Sequence, residues 1–216
     1  MITVIDYGAG NLRSVENALK HLQAPYTITS EPAEVEVAET ILLPGVGHFG
    51  QMMRSLDLLG LTPRLREALG RGVPYFGICL GMHALYEHSE EAPSWPGLAV
   101  LRGTVRRFPE GREGLKVPHM GWNRLDIAPG SRLFDAIPPG QYVYFAHSYY
   151  VPVLSEAEGP TEQPEQAALC EYGQPFLAAV ERNNLWGTQF HPEKSGDVGL
   201  QILENFVRAC GNAPRQ

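Results

Sequence analysis

VPYFGICLGMHAL, residues 73–85, sets one cysteine between two glycines. An apolar run leads into the cysteine and a helical pattern leads out of it. Gly77-Ile78-Cys79-Leu80-Gly81 has the spacing of a nucleophile elbow, with cysteine in the place of serine. A strand that turns sharply into a helix strains the residue at the corner. Side chains two positions to either side would collide, so glycine is needed there. The corner residue then stands at the carboxyl end of the sheet, where open α/β sheets hold their ligands. The start of the helix favours thiolate over thiol, and the thiolate is the nucleophile. A small buried hydrophobe is the competing reading of a cysteine. It is preferred for Cys170, in an alternating strand, and for Cys210, at the end of a helix.

Working outward, short apolar runs bounded by glycine or proline recur at 2–5, 41–44 and 73–78. Helical spacing lies between them: Leu12, Val15, Leu19 and Leu22 mark a helix over 11–22. Leu61, Leu65 and Leu69 mark another that starts near Thr62–Pro63. Strands alternating with helices predict an α/β fold with a parallel sheet. The second half changes character. Strands are expected over 98–108, 116–127, 141–151, 167–172, 176–181 and 185–190, with few helices between them. A last amphipathic helix is expected over 196–209. SEAEGPTEQPEQ, 155–166, has almost nothing to bury and reads as a solvated loop.

A nucleophilic cysteine needs a base, and the base needs an orienting group. WGTQFHPEKS, 186–195, offers both. His191 and Glu193 stand two apart at a strand end, so period two turns both to one face. The carboxylate accepts from one imidazole nitrogen and leaves the other facing the sulfur. The plainer reading of His-Pro-Glu is a charged loop. The N–H of Leu80 is a natural donor to an oxyanion. The glycine-rich turn Pro44-Gly45-Val46-Gly47 could give a second donor or be an ordinary β-to-α turn. Gly8-Ala9-Gly10 lacks the third glycine of a dinucleotide loop. His83-Ala-Leu-Tyr-Glu87-His88 is one residue too long for a zinc helix and reads as a solvated helix face.

The chain of 216 residues is long enough for a sizeable core, and one domain over 1–216 is expected. A net charge of −7 disfavours nucleic acid as a partner. Three cysteines without a C-x-x-C pair argue for a reducing cytoplasm and against a disulfide framework or a thiolate metal site. No stretch approaches the length of a membrane span, and the N-terminus reads as a strand rather than a leader.

DYGAGNLRSV at 6–15, LPGVGHFG at 43–50, GICLGM at 77–82, VPHMGWN at 117–123, YFAHSYY at 144–150 and QFHPEKS at 189–195 run in order through nearly the whole chain. Together they resemble the class I (triad) glutamine amidotransferases, and among these the glutaminase subunits of imidazole glycerol phosphate synthase. The resemblance implies a mostly parallel, flavodoxin-like central sheet flanked by helices, with added antiparallel strands in the C-terminal half. It implies that Cys79, His191 and Glu193 form the triad, and that Val46, Gly47 and Leu80 form the oxyanion hole. His83, Glu91, His147, Ser148 and Tyr149 would hold L-glutamine. It also implies no metal or cofactor, and a (β/α)8-barrel cyclase as heterodimeric partner, met by Asn11, Trp122, Tyr144 and Lys194. One position departs from the pattern: the family usually carries glutamine where His83 stands.

Overall fold

The computed structural model describes residues 1–8, 12–109, 115–153 and 165–211. Strands and helices alternate in the first half: β1 (Ile2–Ile5), α1 (Leu12–His21), β2 (Tyr26–Thr29), α2 (Pro32–Glu36), β3 (Ile41–Gly45), α3 (Phe49–Leu58), α4 (Leu61–Gly70), β4 (Tyr75–Cys79) and α5 (Leu80–His83). The second half is rich in strands: β5 (Tyr86–Ser89), β6 (Leu101–Arg107), β7 (His119–Arg124), β8 (Asp126–Ile127), β9 (Tyr142–His147), β10 (Tyr149–Tyr150), β11 (Glu165–Glu171), β12 (Pro175–Arg182) and β13 (Leu185–Thr188). Helix α6 (Gly196–Ala209) follows them.

The main sheet has the order β2-β1-β3-β4-β13-β12-β11-β8. Its first five strands are parallel, with β13 beside β4. This is the flavodoxin-like order that the resemblance implies, with a late strand in fifth place. From β13 outward the pairing is antiparallel. Every residue of β1, β3 and β4 is buried, which is why these strands read as unbroken apolar runs. Val4 packs with α1 and α6 on one face, while Ile5 packs with α3 and α4 on the other. Two small sheets complete the strands: β10-β6-β5, and the antiparallel ribbon β7-β9.

Two expectations are corrected. The helix after Cys79 lasts one turn, and Tyr86–Ser89 is a strand rather than the end of a solvated helix face. Carbonyls that a longer helix would use are taken by distant amides. Leu98 N–H donates to Ala84 O at 2.6 Å, and Val100 and Leu101 donate to Leu85 O at 2.9 and 2.8 Å. His83 is therefore buried rather than solvated. Of the loop expected over 155–166, residues up to 164 lie outside the described residues, and the last two open β11.

Candidate active site

The elbow is built by close packing. A Cβ on Gly81 would lie 1.9 Å from Leu43 O, and one on Gly77 would lie 2.4 Å from the carbonyl of Gly81. Only glycine lets β4, the corner and β3 approach so closely. The corner residue takes the strain: Cys79 has φ 53° and ψ −106°, outside the regions an L-residue prefers. Gly45 pairs with Cys79 across the sheet, which sets the Val46–Gly47 turn beside the sulfur.

His191 follows β13, the neighbour of β4, and this adjacency closes a separation of 112 positions in the chain. Its Nδ1 donates to Glu193 Oε1 at 2.9 Å, and both side chains are 3% exposed. The ring also hydrogen-bonds Cys79. With Nδ1 committed to the carboxylate, Nε2 is the atom that faces the sulfur. Burial works against a charged ring here. The hydrogen bonds to Cys79 and Glu193, with their negative charge, outweigh it and raise the His191 pKa. Pro192–Lys194 form a single 3-10 turn that brings the carboxylate back under the ring.

These residues open onto a cavity of about 370 Å³. Its lining includes Cys79, Leu80, Val46 and Gly47, and also His83, Glu91, His147, Ser148, Tyr149, His191 and Lys194. Glu193 is absent from that lining because it lies behind His191. Glu91 is anchored at the cavity wall: its Oε2 accepts from Phe49 N–H at 2.8 Å, at the start of α3, and its own N–H donates to Ser89 Oγ at 3.2 Å. Cys79 is 5% exposed and lines this cavity.

The profile of the class-I glutamine amidotransferases matches residues 3–210. The chain belongs to the class-I glutamine amidotransferase family. It is 45% identical over 215 residues to imidazole glycerol phosphate synthase subunit HisH of Moorella thermoacetica, covering 98% of each chain. It is 49% identical over 206 residues to the subunit of that name in Desulfitobacterium hafniense, covering 95% of this chain and 93% of that one. Among solved structures, a glutamine amidotransferase crystal structure superposes with a TM-score of 0.74 at 19% identity, over 98% of this chain and all of that one. The PurLQS structure of Thermotoga maritima gives 0.71 at 18% identity, over 96% and 97%. At such identities these two matches speak for the fold alone.

In this class-I amidotransferase two of the residues expected at a partner face, Trp122 and Tyr144, lie on the outer side of the β7-β9 ribbon, and Lys194 reaches it from the 3-10 turn. Trp122 is 56% exposed and pairs with Tyr144, ring against ring at 6.2 Å, and Lys194 Nζ stands 5.9 Å over the Tyr144 ring. Asn11 lies outside the described residues. Met120 and Tyr142, exposed on the same ribbon, were missed by the sequence reading. So was Ser195, whose hydroxyl donates to His191 O at 2.7 Å and accepts from Tyr144 N–H at 3.0 Å. A further omission is Gln189, whose Nε2 lies 3.8 Å from Cys79 Sγ. It stands two residues before His191 in QFHPEKS, and that closeness to the histidine is the signal that could have found it.

On the inner side of the ribbon His119 and His147 pair directly, Nδ1 to Nε2 at 3.0 Å. His147 Nδ1 donates to Tyr149 O at 2.8 Å, so its Nε2 accepts and His119 Nδ1 donates. His119 Nε2 then accepts from Asn123 Nδ2 at 3.3 Å. Burial lowers the His119 pKa to about 4. For His147 burial outweighs the hydrogen bond to Tyr149, and the nearby histidines add to it, so its pKa is also held well below the usual value.

Proposed function

We propose that the chain is a glutaminase that frees ammonia from L-glutamine through a thioester on Cys79. It would act as a single domain over 1–216, in the cytoplasm, as the glutaminase half of an imidazole glycerol phosphate synthase in histidine biosynthesis. The observation that carries the reading is the Glu193–His191–Cys79 line at the wall of the cavity.

Glutamine enters with its side-chain amide toward the sulfur. Glu91 and the His147-Ser148-Tyr149 segment hold its head group, with His83 at the inner wall. His191, whose raised pKa favours the protonated ring, holds the proton of the thiol, and the thiolate attacks the amide carbon. The oxyanion forms beside the Leu80 N–H and the Val46–Gly47 turn, whose backbone donors stabilise the charge as it develops. The C–N bond breaks, and the imidazolium, favoured by Glu193, gives its proton to the departing amine, which leaves as ammonia. Water then attacks the thioester and loses its proton to His191. The C–S bond breaks, glutamate leaves, and the sulfur is released as a thiolate beside the protonated ring.

The relatives are named as subunits of imidazole glycerol phosphate synthase, which supports the reading that this chain works with a second subunit. A (β/α)8-barrel cyclase would dock on Trp122, Tyr144, Lys194 and Asn11 as a heterodimer and use the ammonia. The test is ammonia release from glutamine by the chain alone, and then with the cyclase and its nucleotide ligand. Slow release alone and strong stimulation by the partner are expected. Fast release without a partner would point to a free-standing hydrolase. No release under either condition would sink the glutaminase reading.

A further inference from the structure

Gln189 is wholly buried, at 0% exposure, and lies between two side chains of the site. Its Oε1 is 2.8 Å from His83 Nε2, and its Nε2 is 3.8 Å from Cys79 Sγ. The His83 ring is 1% exposed. Burial lowers its pKa to about 4 despite the bond to Gln189, so near neutral pH it carries one N–H. A carbonyl oxygen can only accept, so that hydrogen sits on Nε2. His83 Nδ1 keeps a lone pair and has no partner among the described residues. Holding Oε1 in this way turns the amide NH2 toward the sulfur.

The reversed amide is the poorer arrangement. It would aim an oxygen at an electron-rich sulfur, and it would shift the only N–H of His83 to Nδ1, where a donor would be buried without an acceptor. We propose that Gln189 is a second hydrogen-bond donor to the nucleophile, and that His83 is the positioning residue that sets the polarity of its amide. The sulfur is then held from two sides, by the His191 imidazole and by the Gln189 amide. This rests on the reading of Cys79 as the nucleophile. It also gives a physical account of histidine at position 83: the task there is to present one N–H to Gln189 Oε1, which a glutamine can do as well.

The test is the rate at which iodoacetamide alkylates Cys79 in the intact protein, followed by site-resolved mass spectrometry as a function of pH. Gln189→Leu keeps a similar volume and removes the donor. Its profile is expected to move about one unit toward higher pH, which is about tenfold slower capture on the rising limb of the profile. His83→Leu frees the amide to turn and should move the profile in the same direction by a smaller amount. His83→Gln restores an N–H donor and should return the profile to that of the wild type. An unmoved profile in Gln189→Leu, or His83→Gln as slow as His83→Leu, overturns the proposal. If Gln189→Leu fails to fold, judged by its thermal transition, the two His83 variants decide. Alkylation needs no glutamine, so a wild-type chain that releases no ammonia would defeat the glutaminase reading and leave this result standing.

Discussion

His191, beyond the end of β13, and His147, at the end of β9, are equally withdrawn from water, at 2% and 6% exposure. They respond to it in opposite ways. The pKa of His191 is raised because a carboxylate and the thiol face its two nitrogens. That of His147 is lowered, and its nitrogens face a carbonyl and a second neutral ring. Burial alone makes an imidazole neutral; only a nearby negative group reverses that. One region therefore favours a protonated ring and the other a neutral, hydrogen-bonded one at the cavity wall.

The severest way to break this contrast is to remove what faces His191. Cys79→Ala should abolish ammonia release, because the covalent route disappears, and it should lower the His191 pKa in an NMR titration. Next is Glu193→Gln. It removes the carboxylate that fixes the tautomer, and kcat/KM should fall by about a thousandfold, measured with the partner present. The ribbon pair is probed by acid. The unfolded chain protonates His119 near its ordinary pKa of 6.5 and the folded chain only near 4. The unfolded state thus binds more protons across that window. Stability is complete above pH 6.5 and is lost as pH falls toward 4, by up to about 3 kcal/mol for this ring, measured by urea unfolding. The mildest change is His119→Phe. It keeps the stacking on Tyr172, at 3.9 Å between centroids, but leaves His147 Nε2 without its donor. A loss of about 1–2 kcal/mol is expected, together with a shallower dependence on acid.

The elbow was legible in the sequence because it is local. Two glycines, a cysteine and an apolar run occupy five positions, and the requirement for glycine follows from the turn itself. His191 and Glu193 were legible as a pair because they are close in the chain, but the geometric reason differs from strand period: β13 ends at Thr188, and the 3-10 turn Pro192–Lys194 brings the carboxylate to the ring. Their meeting with Cys79 was inferred from strand ends alone, and the adjacency of β4 and β13 supplies the missing step. What could not be read was non-local. The short α5 depends on amides of Leu98, Val100 and Leu101, more than ten residues away. The His119–His147 pairing depends on the register of β7 against β9, which no pattern within either strand determines. Tryptophan at 122 fits a core or a surface equally well by composition, and only its place on the outer side of the ribbon separates them.

The Ser195 hydroxyl clasps the backbone on both sides, at His191 O and Tyr144 N–H, and His191 N–H returns a bond to Tyr144 O at 2.9 Å. His191 is thereby tied to β9 by one direct backbone bond and one bridge through the Ser195 hydroxyl, and does not hang from its own loop. An engineer who transplants the β7-β9 ribbon from a relative, hoping to change only its exposed aromatic face, would be re-aiming the imidazole as well.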